Sequence, residues 1–178
     1  MISRIIRLRR LKGILFLLGI LFVGVHTASS QNNYFIYTVF INKIANYVEW
    51  PPEYKTGDFI IGVLGKTEAT DQLKLLAMKK DIAGRKIKIA EFSSIGDITK
   101  CNMLFLPEHL SGQLPDVIKK LKGTSTMMIT EKEGLALKGS CVNFVTVQGK
   151  PAFELNSHAM DEAGLKASKE LTKYAIVL

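Results

Sequence analysis

Asp58-FIIGVLG-Lys66 (residues 58–66) decides the fold. The run is almost wholly apolar, it ends on a glycine, and Gly57 precedes it. A surface strand would alternate apolar and polar side chains, so an unbroken run of this length reads as a strand buried on both faces. Such strands belong to parallel sheets covered by helices on both sides. The downstream sequence agrees. Asp71 to Met78 has helical spacing, Lys86-IKIAEF-Ser93 alternates as a strand, and Cys101-NMLFL-Pro107 reads as a second buried strand. Gln113 to Lys122 reads as an amphipathic helix with basic residues near its end, followed by the strand Thr126-MMIT-Glu131. Strand alternating with helix predicts an α/β fold, a parallel sheet with right-handed crossovers.

The end of the chain departs from that alternation. Cys141-VNFVTV-Gln148 and Pro151-AFEL-Asn156 lie at hairpin spacing around a turn placed at Gly149–Lys150, which predicts an antiparallel extension of the sheet. Ser157 is placed to cap a helix running to Gly164, and Ser168 to start a last one with Leu171, Tyr174 and Ala175 toward the core. Upstream of the deciding strand, Asn32 or Asn33 is placed to cap a helix that Pro51–Pro52 stops. Its apolar positions include Phe35, Ile36, Val39, Phe40, Ile44 and Tyr47, and Asn42, Lys43 and Asn46 supply its polar side. A helix apolar around most of its circumference is either deeply packed or in contact with another chain.

The first 30 residues read as an export signal. Arg4, Arg7, Arg9, Arg10 and Lys12 precede a charge-free stretch from Gly13 to Val25, and Ala28, Ser29 and Ser30 stand where a signal peptidase would cut. That stretch is 13 residues long, against the roughly 20 a membrane-spanning helix needs. Cleavage is expected after Ser30, leaving one domain over residues 31–178 with no room for a second. The leader holds 5 of the 24 basic residues and none of the 16 acidic ones, so the exported chain carries a net +3. The densest remaining basic cluster is Arg85, Lys86 and Lys88 on a strand. Nucleic acid is therefore not an expected partner.

Candidate chemistry is sparse. Gly65-Lys66-Thr67 sits between strand and helix as a phosphate loop would, but the position that needs the first glycine is Ile60. Cys101, Cys141, His109 and His158 lack the short spacings of a metal site. There is no Gly-x-Ser-x-Gly elbow, and the paired acids Glu131/Glu133 and Asp161/Glu162 lie beside lysines as on a solvated surface. No catalytic residue, cofactor or metal is expected. Cys101 and Cys141 are an even pair in an exported chain, open to a disulfide or to two buried thiols. Trp50, the single tryptophan, is either a core seal or a partner anchor.

Taken in order, Tyr47-Val48-Glu49-Trp50-Pro51, Phe59-IIGVLG, Gly84-Arg85, Cys101-NMLFL, Asn143-Phe144, Phe153-Glu154-Leu155-Asn156 and Ala163-Gly164-Leu165-Lys166 with Ser168 resemble the YfiR-like periplasmic regulators throughout the mature chain. The resemblance implies a compact, Rossmann-like α/β domain without catalytic activity that works by binding and often dimerises. It implies as partner the sensor region of a membrane-bound diguanylate cyclase, held down so that cyclic-di-GMP and biofilm output fall, or of a histidine kinase. An outer-membrane peptidoglycan-binding lipoprotein is a further implied partner. The chain departs from the better-known members in having two cysteines rather than several, with Cys101 at the matching strand position.

Candidate partner or dimer contacts are Tyr37, Phe40, Ile44, Trp50, Pro51, Phe153, Glu154 and Asn156. The competing function is a periplasmic small-ligand-binding domain, with loops Gly65 to Thr70 and Pro107 to Gly112 lining the site beyond the strands' carboxyl ends. The two differ in surface: a regulator exposes an apolar patch near the first helix, whereas a ligand-binding domain has a deep pocket with convergent polar groups.

Overall fold

The computed structural model describes residues 27–178, with side chains from residue 33 onward. The basic and apolar segments of the expected leader lie outside the described residues. Two compact units divide at residue 34, and the sheet and its helices belong to residues 34–178. Among the described residues no helix is long and apolar enough to cross a membrane.

Eight strands form the main sheet: β2 (Phe59–Leu64), β3 (Asp81–Ile82), β4 (Arg85–Phe92), β5 (Met103–Leu106), β6 (Met127–Thr130), β7 (Val142–Val147), β8 (Lys150–Leu155) and β10 (Ile176–Val177). Their order is β10-β8-β7-β6-β5-β2-β4-β3. Pairing is parallel from β4 through β2, β5 and β6 to β7, and antiparallel for β7 with β8 and β3 with β4. The deciding strand thus has parallel neighbours on both sides, and Phe59, Ile61 and Val63 are fully buried. The five parallel strands run 2-1-3-4-5 in chain order, the flavodoxin-like form of the doubly wound sheet rather than the dinucleotide-binding order. A separate two-stranded ladder joins β1 (Val48–Glu49) to β9 (Lys166–Ala167).

Helix α1 spans Thr27–Tyr47, followed by α2 (Ala69–Lys79), α3 (Leu114–Leu121), α4 (Ser157–Glu162) and the single turn α5 (Lys169–Thr172). Helix α1 begins before the expected Asn32/Asn33 cap, because nothing between Thr27 and Asn33 breaks a helix, and the expected cleavage after Ser30 falls in its first turns. The inward stripe of α1 is Tyr37, Ile41, Ile44 and Ala45, continued by Val48 of β1. Tyr37 stacks on Phe144 with ring centroids 4.3 Å apart, and Phe40 lies over both Phe144 and Phe153. Each such ring pair is worth about 1 kcal/mol beyond its buried area.

Several local readings shift by a residue or a role. The β7–β8 turn is Gln148–Gly149, both at positive φ (50° and 76°), which is the twist-compatible two-residue hairpin. The cap of α4 is Asn156, whose Oδ1 accepts from the Ala159 amide at 3.0 Å, and not Ser157. Ser168 caps α5 as expected and Leu171 is fully buried, but Tyr174 is 59% exposed because α5 ends at Thr172, before it.

Arg85 ties the entrance of β2 to the rest of the sheet. Its guanidinium donates to the carbonyls of Tyr54, Thr56, Gly57 and Asp58 at 2.7–3.2 Å and lies over the Phe59 ring. Asn102 holds the same segment from the other side, its Nδ2 donating to Tyr54 O and its Oδ1 accepting from Ile60 N. Replacing Arg85 with Met keeps bulk over Phe59 but removes the side-chain donor of the Thr56, Gly57 and Asp58 carbonyls, while Tyr54 O keeps Asn102. The Arg85→Met chain is expected to lose about 2 kcal/mol in denaturant unfolding. Arg85→Lys is expected to recover only part of this, because an ammonium cannot fork across four acceptors.

Candidate functional site

The expected contact residues fall mostly in the core. Tyr37, Ile44, Trp50 and Phe153 are buried, and Phe40 is half-buried against Phe144 and Phe153. Their side chains are used in the domain's own packing, so within a single copy they present little surface to a partner. Trp50 is a core seal: its Nε1 donates to Ala45 O at 3.2 Å and its ring meets Phe59 edge-on at 5.4 Å. Pro51 is half-exposed, and its carbonyl accepts from the Tyr54 amide. Glu154 accepts from Asn143 Nδ2 at 2.9 Å, at the rim of a buried network in which Thr130 Oγ1 bonds to both Ser140 Oγ and Asn143 Oδ1. Asn156, besides capping α4, donates to Ala136 O. Glu154 and Asn156 hold the strand-to-helix corner together.

The exposed apolar residues of α1 lie one helical step from the expected ones. Phe35 is 58% exposed, Val39 50% and Tyr47 41%. Lys43, on the same stripe, lays its ammonium 3.0 Å from the centroid of the exposed Tyr174 ring and so joins this stripe to the C-terminal segment. Ile176, Val177 and Leu178 beyond it are also exposed. The signal for this face was present in the sequence. The inward set 37, 41, 44, 45 keeps helical period, and the outward set 35, 39, 43, 47 lies on the opposite side.

The crevice favoured by the doubly wound sheet lies between the loops after β2 and β5, where the strand order reverses. Leu110 occupies it. Gly65 has φ 72°, and a Cβ there would lie 2.6 Å from Leu110 Cδ1, so the loop after β5 packs directly on the loop after β2. Behind them Glu131 is not the solvated surface acid expected. Its Oε1 accepts from Tyr34 OH at 3.3 Å and from the Glu108 amide at 3.1 Å, and burial raises its carboxyl above the usual range. Burial, with Glu131 the next cause, pushes the Tyr37 hydroxyl up to about 12. His109 and His158 are exposed, and among the described residues no group could hold a metal ion.

A cleft of about 680 Å³ opens instead at the amino ends of β6 and β7, between α3 and α4. Cys141 lies on its floor. Cys101 lies at the start of β5, with β6 between it and Cys141. Strands two apart stand roughly 9.6 Å from each other, beyond the reach of a disulfide. The disulfide reading is therefore corrected: both are free, buried thiols, and burial pushes each up to about 11.

A family model described as YfiR/HmsC-like matches residues 34–176. The crystal structure of a conserved domain protein from Vibrio cholerae O1 biovar eltor is similar with a TM-score of 0.52 and 14% identity, over 81% of this chain. That likeness concerns the fold, and this chain spans 59% of the Vibrio chain's length. No curated protein matches the chain in sequence.

Two outcomes follow from the thiols. Thiol titration of the native protein is expected to find neither cysteine reactive at neutral pH and both reactive after unfolding, with no mass deficit of a bridge. A thiol whose folded pKa is raised from 9.0 to about 11 stabilises the fold below pH 9, and that contribution is lost as pH rises through about 11. Unfolding free energy is expected to decline across this window, and less steeply in a Cys101→Ala/Cys141→Ala chain.

Proposed function

The chain belongs to the YfiR/HmsC-like family, a family of periplasmic regulators, and from that premise we propose that it is a non-enzymatic regulator binding the extracytoplasmic sensor region of a membrane protein. The partner class best supported by the resemblance is a diguanylate cyclase, whose repression would lower cyclic-di-GMP and biofilm formation. The observation that carries the reading is the exposed apolar stripe Phe35–Val39–Tyr47, continued through Lys43 to Tyr174. Exposed aromatic and aliphatic side chains grouped on one face are what a protein-binding surface requires. The filled crevice between Gly65 and Leu110 weighs against a ligand site at the carboxyl ends of the strands. An exported chain, as residues 1–30 lead us to expect, would meet such sensor regions on the same side of the membrane.

The test is capture from solubilised membranes of the protein's own cells. The wild-type chain is expected to retain a membrane cyclase carrying an extracytoplasmic domain; recovery of a sensor kinase instead would redirect the pathway but keep the binding reading. Val39→Glu is expected to reduce capture more than tenfold, the loss typical of a central interface residue, while its unfolding midpoint stays within about 0.5 kcal/mol of wild type. Tyr37→Ala should do the reverse, lowering stability through loss of the Phe144 stack.

A further inference from the structure

The cleft between α3 and α4 takes no part in the surface described above, and its chemistry differs from it. Ile118 and Leu121 form one wall, Ala159 and Ala163 the other, and Met128 and Cys141 the floor. Small residues on the α4 wall are what keep the space open, since Leu114 and Val117 on the neighbouring face of α3 are fully packed.

The polar atoms inside are already committed. Thr126 Oγ1 donates to Cys101 O at 2.8 Å, Thr124 Oγ1 to Leu121 O at 2.7 Å, and Cys141 Sγ to Ala159 O at 3.6 Å. An occupant reaching inward therefore meets hydrocarbon and no spare side-chain donor. Lys119 and Lys122 stand at the rim, exposed. The one acid there, Glu162, lies 3.5 Å from His158 Nε2 on its own helix. The rim is thus basic and the interior apolar.

We propose that this cleft binds a single acyl chain carrying an anionic head group, the chain lying between Ile118, Leu121 and Ala159 and the head group meeting Lys119 and Lys122. Its volume of about 680 Å³ falls among small-molecule sites. An extended peptide would bring backbone amides that this interior leaves unpaired. A cationic amphiphile would face two lysines. A free fatty acid and a lysophospholipid share the required chemistry, and the experiment separates them.

The experiment is calorimetric titration of the protein, as its own cells process it, with dodecanoate, with lauroyl lysophosphatidylglycerol and with 1-dodecanol. Saturable binding of at least one anionic amphiphile is expected, the tighter of the two naming the source. Lys119→Gln with Lys122→Gln should weaken that binding about tenfold and leave dodecanol unchanged. Ala163→Leu, which fills the cleft, should weaken all three; if that chain unfolds, Leu121→Ser on the half-exposed wall carries the same expectation. The proposal is overturned by absence of saturable binding, by indifference to the lysine pair, or by displacement of dodecanoate by the membrane partner's sensor region, which would make the cleft a protein groove. Capture of that partner by the wild-type chain reads out separately, so failure here leaves the regulator reading standing.

Discussion

The central strand β2 is buried on both faces, and the two faces are covered by different means. One face receives α1, whose Tyr37 and Phe40 interleave with Phe144 and Phe153 while Trp50 closes over Phe59. These ring contacts fix the rotation of α1 so that Phe35 and Val39 point outward. The other face is covered near β6 and β7 by the short helices α3 and α4, and Ala159 and Ala163 are too small to close the space between them. An exposed apolar stripe on one side and an open cleft on the other follow from that difference in side-chain volume.

The residues that identify the family are mostly the ones that build it. Gly84 supplies a positive φ in the turn before β4, where Ala83 N donates to Asn46 Oδ1, and this sets Arg85 against the loop entering β2. Asn102, next to the strand cysteine, completes that clamp. Asn143 and Glu154 bond across the β7–β8 pair, Asn156 caps α4, and Gly164 leaves α4 at φ 66° so that Leu165 can turn into the core. Motif positions of this kind say which fold the chain adopts. They are silent about its contacts, which is why Tyr37, Ile44 and Phe153, chosen as partner residues, turned out to be interior.

What the sequence made legible and what it hid divide along the range of the forces involved. The buried strands β2, β5 and β6, the helices α2 and α3, and the β7–β8 hairpin are written in local periodicity and turn chemistry, and each stands within a residue or two of its expected place. The strands β1, β3, β9 and β10 are two residues each and owe their existence to a neighbour across space, so no window of sequence announces them. The site suffers in the same way. The phase of α1 depends on which aromatics lie beneath it, and Glu131, charged and beside Lys132, reads as surface until Tyr34 and the Glu108 amide are brought to it. The two cysteines were compatible with a bridge until the strand order placed β6 between them.

That same strand order bears on where function can reside. A 2-1-3-4-5 sheet offers its crevice where the order reverses, at the carboxyl ends of β2 and β5. Here Gly65 lets Leu110 approach so closely that the crevice is filled by the protein's own side chain, and the Tyr34–Glu131–Glu108 bonds tie α1 to the loop beside it. A doubly wound sheet closed in this way keeps its scaffold while losing the usual ligand position. The open cleft sits at the opposite, amino-terminal ends of β6 and β7, and the exposed apolar stripe lies on the outer side of α1. The fold class therefore explains how the chain packs, whereas the cleft and the exposed stripe are features that the fold class does not usually supply.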